Sequence, residues 1–90
     1  MDRAVLPVSS DVPLTGAAPG AKVVVTRFVP GITARQLEQL TSYGLEEGRT
    51  IQVLRQRPVT VLLIDYTELA LEDEVARAIH VLEVDQPQPS

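Results

Sequence analysis

Cysteine is absent from this 90-residue sequence, which excludes disulfide staples, thiolate metal sites and cysteine nucleophiles together. The same absence fits a reducing cytoplasm. Histidine occurs once, as His80, so no second histidine is available for an acid–base pair or a His-rich metal site. Aromatic rings are nearly as scarce: Phe28, Tyr43 and Tyr66 are the whole set, and the core must come from Val, Leu and Ile. The longest strongly apolar run, Val61 to Ile64, is far too short to cross a bilayer. Pro7, Ser9, Ser10, Asp11 and Pro13 interrupt the stretch where a signal peptide would carry its apolar segment. Gly44 and Gly48 lack the following Lys-Ser/Thr of a phosphate-binding loop and read as a helix stop and a turn. These exclusions describe a cytoplasmic chain with no membrane insertion and no cofactor. No nucleophile, base and oxyanion donor can be assembled from it, so an enzyme is not expected.

What is present fits one domain and leaves no room for a second. A domain this small buries a modest share of its unfolded surface and needs an efficiently filled core, for which an apolar content of 44% is ordinary. The net charge of -4 is unevenly spread. The first 60 residues hold seven basic against five acidic side chains, the last 30 one against seven. An acidic chain repels phosphate backbones, and no cluster of Lys and Arg is interleaved with exposed aromatics. Nucleic acid is therefore not an expected partner.

Residues 1–19, with Pro7, Pro13 and Pro19, read as an extended lead-in whose Leu6, Val8, Val12 and Leu14 can lie against the domain. Residues 20–85 form the domain, and 86–90, with Pro87 and Pro89, a flexible tail. Ala21 to Val29 is rich in β-branched residues between Pro-Gly pairs and reads as the first strand, with Val23, Val25, Arg27 and Val29 on one face. Thr33 and Gln36 have the spacing of a capping box, with Ile32 and Leu37 placed as its hydrophobic staple. The helix they open runs to about Tyr43, with Leu37 and Leu40 on one face, and Gly44 and Leu45 supply a Schellman stop. Thr50 to Arg57 and Val59 to Tyr66 read as an antiparallel hairpin interrupted by Pro58. A turn at Thr67, a brief strand from Glu68 to Leu71, a helical turn from Asp73 to Ala78 and a closing strand from His80 to Val84 complete the chain. The expected fold is all-β, a small barrel of about five strands with one short helix inserted after strand one.

The acidic run Glu72, Asp73 and Glu74, with Asp65 and Glu68 nearby, could hold a divalent cation weakly through oxygen ligands. They are better explained as acids at a helix start, with Asp73 and Arg77 at the i,i+4 spacing of an ion pair. Arg49, Arg55 and Arg57 flank the hairpin and suit a protein interface.

The string Gln39-Leu40-Thr41-Ser42-Tyr43-Gly44-Leu45-Glu46-Glu47-Gly48-Arg49-Thr50-Ile51-Gln52-Val53-Leu54 resembles the FeoA family of ferrous iron transport accessory proteins through Leu40, Gly44, Leu45, Gly48, Ile51 and Val53. Pro19-Gly20, Pro58, Leu69-Ala70-Leu71, Val75-Ala76 and Ile79-His80-Val81 extend the likeness over about residues 14–84. The turn at Tyr66-Thr67-Glu68 departs from it in lacking a glycine. The resemblance implies an SH3-like barrel that binds the cytosolic domain of a FeoB-type membrane ferrous iron transporter. Arg35, Tyr43, Arg55 and Arg57 are its candidate contacts. The alternative it implies is a metal-responsive regulatory domain, related to the C-terminal domain of DtxR-type repressors, that senses a divalent cation through the acidic stretch. Exposed sheet edges would also permit a homodimer.

Overall fold

The β-branched stretches become strands, and the computed structural model, described over residues 11–84, joins them in one antiparallel sheet. In chain order the elements are β1 (Val12–Pro13), a 3-10 turn (Leu14–Gly16), β2 (Lys22–Phe28), α1 (Ala34–Ser42) and β3 (Thr50–Arg55). They continue with β4 (Thr60–Ile64), β5 (Thr67–Leu71), α2 (Asp73–Arg77) and β6 (Ile79–Glu83). The spatial order β1-β6-β2-β3-β4-β5 leaves β1 and β5 as the edges of a six-stranded sheet. The all-β reading and the SH3-like barrel hold, with one correction: α1 follows the second strand, not the first. The extra strand is Val12–Pro13, which pairs with Val81 and His80. Two residues cannot display an alternating pattern, and Pro13 has no N–H to give, which suits it to an edge. Leu6 and Val8 of the expected lead-in, and the tail 86–90, lie outside the described residues.

The two faces of β2 do not alternate evenly. Val23 and Val25 are buried, but Arg27, on the same alternating face, is exposed and Phe28, on the other, packs against the core. A bulge is the reason. Val25 pairs with Val81 and Arg27 with His80, so Thr26 is an additional residue without its own partner, and the alternation reverses beyond it. A second register shift falls between Val53 and Arg55 on β3.

Helix α1 begins as its sequence dictates. The Thr33 hydroxyl accepts from the Gln36 amide at 3.0 Å, and Gln36 Oε1 accepts from the Thr33 amide at 2.9 Å. It stops at Gly44 (φ 94), where the Gly44 amide donates to Thr41 and the Leu45 amide to Leu40, the two bonds of a Schellman motif. The stop turns the fully buried Leu45 into the core beside Leu40. Leu37, expected on the packed face with Leu40, stays 37% exposed because only the Leu40 side of the helix meets the core.

The core joins Val23, Val25, Ile51, Val53, Leu62 and Ile64 from the strands to Leu14 and Leu45 from the connections. Leu14 is held by a polar clasp. Gln56 Nε2 donates to the carbonyls of Leu14 (3.0 Å) and Ala17 (2.7 Å), and the buried Thr60 hydroxyl donates to Gln56 Oε1 at 2.6 Å. The segment 14–17 is thereby tied to the β3–β4 hairpin.

Candidate interaction surface

The four candidate contacts are all exposed, and the fold places them on α1, on β3 and in the turn that follows it. Arg35 stands in the first turn of α1, and Tyr43, 51% exposed, caps its end. Arg55 ends β3, and Arg57 lies in the following turn. Arg57 lines a polar cleft of about 300 Å³ with Thr15, Gln56 and Asp73. Tyr43 lines a separate groove of about 340 Å³ between α1 and β5, together with Leu40, Leu69, Leu71 and Val75. Arg49 is not available as a free cation, since it pairs with Asp65 across the sheet end.

Glu72, Asp73 and Glu74 are exposed at the start of α2, where Asp73 and Arg77 form the anticipated i,i+4 pair at 2.9 Å. Among the described residues, no three His, Cys, Asp or Glu side chains come together in a way that could hold a metal ion. No helix among them is long and apolar enough to cross a membrane.

Sequence reasoning missed the polar cluster where β1 meets the β2 bulge. Asp11 Oδ2 accepts from Arg27 Nε at 3.0 Å and lies 2.9 Å from the Thr26 hydroxyl, which is also 3.0 Å from the His80 carbonyl. Those bonds, led by Arg27, hold the Asp11 carboxyl below the usual carboxylate range. His80 Nδ1 is buried with no hydrogen bond to any described residue, 3.8 Å from Asp11 Oδ1. It also missed the exposed apolar strip around Ala34, Leu37 and Thr41 on α1. The unpaired edge of β5 depends on sheet order and has no local signal.

A six-stranded antiparallel sheet with a nine-residue helix inserted between its second and third strands places the chain among the small SH3-like barrels. The family model of the FeoA domain matches residues 12–83. The chain belongs to the FeoA family. A solved iron uptake regulatory protein, FeoA, is 27% identical with a TM-score of 0.71, over 84% of this chain and 100% of that one. IdeR of T. acidophilum is 29% identical with a TM-score of 0.76, over 91% of this chain but 37% of its own. A manganese-dependent transcriptional repressor, at 22% identity and a TM-score of 0.75 over 88% of this chain and 45% of its own, shares the fold. No curated protein sequence matches this one.

Proposed function

We propose that the chain is a cytoplasmic, non-enzymatic accessory protein that binds the cytosolic domain of a FeoB-type ferrous iron transporter and modulates iron uptake by docking. The observation that carries this reading is the FeoA match over residues 12–83, together with likeness to the full length of a solved iron uptake regulatory protein. The fold supports it physically. Arg35, Leu37, Tyr43, Arg55 and Arg57 present exposed cationic, aliphatic and aromatic side chains of the kind that anchor protein interfaces. A titration of the chain against the transporter's cytosolic domain, with and without guanine nucleotide, tests it. Saturable binding is expected; none at high micromolar concentration would overturn the reading.

The second reading, a domain responding to a divalent cation, is favoured by the likeness to IdeR. It requires manganese or ferrous ion to raise the melting temperature, with the rise lost in Asp73→Ala or Glu74→Ala. An unchanged melting temperature at millimolar cation would dismiss it.

A further inference from the structure

We infer that the outer edge of β5 is a docking site for an extended segment of a partner protein in which basic residues alternate with aliphatic ones. The backbone supplies the first reason. Ile64 and Thr67 face each other across the two-residue turn Asp65–Tyr66, and the pair closing such a turn is hydrogen-bonded. By alternation Leu69 and Leu71 also bond inward, to Leu62 and Thr60, and Glu68 and Ala70 turn their N–H and C=O groups outward. No strand among the described residues pairs with that side of β5. A row of unpaired donors and acceptors is a template for one more strand.

The side chains define what that strand must carry. The groove of about 340 Å³ alongside β5 is lined by Leu69 and Leu71 on one side and by Leu40 and Tyr43 of α1 on the other. Every second residue of an incoming strand would enter that groove beside Leu69, where Leu40 and Tyr43 offer apolar contact and Gln36 and Gln39 a polar margin. The residues between them would stand next to Glu68, which is exposed, and Glu72, just beyond the strand end, adds a second carboxylate at the mouth of the groove. Asp65 and Asp73 are engaged by Arg49 and Arg77, but Glu68 and Glu72 form no ion pair among the described residues. Cations opposite these carboxylates complete cross-strand pairs that the fold itself leaves open. A second copy of this chain fits less well, because pairing β5 with β5 brings two acidic edges together.

The inference rests on the reading of the chain as a protein-binding module but not on which protein it binds. The probe is therefore a synthetic peptide, Lys-Val-Lys-Val-Lys-Val-Lys, titrated into the full chain and followed by amide NMR. The expected result is perturbation centred on Glu68 and Ala70, with affinity about tenfold above that of the peptide with Glu in place of Lys, the difference shrinking with added salt. Ala70→Pro removes an outward donor without touching the ladder to β4, and should abolish binding while the chain stays folded. Should that variant fail to fold, Glu68→Arg combined with Glu72→Arg decides the matter by reversing the preference to the acidic peptide. Perturbation centred elsewhere, equal affinity for both peptides, no binding at millimolar peptide, or β5 signals that track only protein self-association would each overturn it. The transporter titration fails or succeeds separately, so the surface and the client are tested independently.

Discussion

Asp11 ties the start of β1 to the bulge of β2 through Arg27 and Thr26, and it does so as a carboxylate. Folding lowers its pKa, so its contribution to stability is complete above the unfolded value of about 4 and is lost as pH falls through the lower folded value. Asp11→Asn is expected to lower the urea midpoint at neutral pH. The gap from the parent protein should close as denaturation is repeated at successively lower pH below about 4. Gly44 acts through the backbone instead. Its φ of 94 belongs to the left-handed region, and an added Cβ would lie 3.4 Å from both Arg49 Nη1 and Ile64 Cγ2. Gly44→Ala should cost about 1–2 kcal/mol in urea denaturation, and a neutral result would contradict the Schellman stop. Asp65 solves a similar problem without glycine. At φ 55 it adopts the left-handed conformation that aspartate tolerates, and its carboxylate pairs with Arg49. The turn expected at Tyr66-Thr67-Glu68 therefore lies one residue earlier, at Asp65–Tyr66, with Thr67 and Glu68 already in β5, and Asp65 takes the left-handed position there without a glycine.

Among the elements, the ends of α1 were legible because everything that starts and stops it lies within a few residues. Thr33, Gln36 and Gly44 bond to the helix's own ends, so local spacing carried the information. Thr33→Ala is expected to cost about 1 kcal/mol by removing one half of the capping box. Hydrogen exchange should then accelerate in the first turn of α1 before it does in β3. Strand faces were less legible. The alternation in Lys22–Phe28 leaves both faces partly apolar, and only the pairing with β6 reveals Thr26 as the bulged residue. The exposed Leu37 and the free edge of β5 escaped for the same reason: spacing alone does not say which neighbour an element lacks.

For the molecule as a whole, the segment before β2 is part of the fold. Leu14 is fully buried in the main core, and its carbonyl is bound by Gln56 from the β3–β4 turn. Leu14→Ala should therefore cost about 2–5 kcal/mol, as large-to-small core substitutions do. A loss below about 0.5 kcal/mol, typical of surface positions, would show that the segment merely rests on the barrel. The sequence by itself determined the strand-rich class, the ends of α1, the Asp73–Arg77 pair and the family likeness. Each is written in contacts between near neighbours or in motif spacing. Tertiary structure alone decided that Val12–Pro13 is a sheet edge, that Arg27 faces Asp11, and that Tyr43 and Arg57 line separate clefts. Those outcomes join residues as far apart as Thr26 and His80, 54 positions along the chain, and no local propensity records a pairing over that distance.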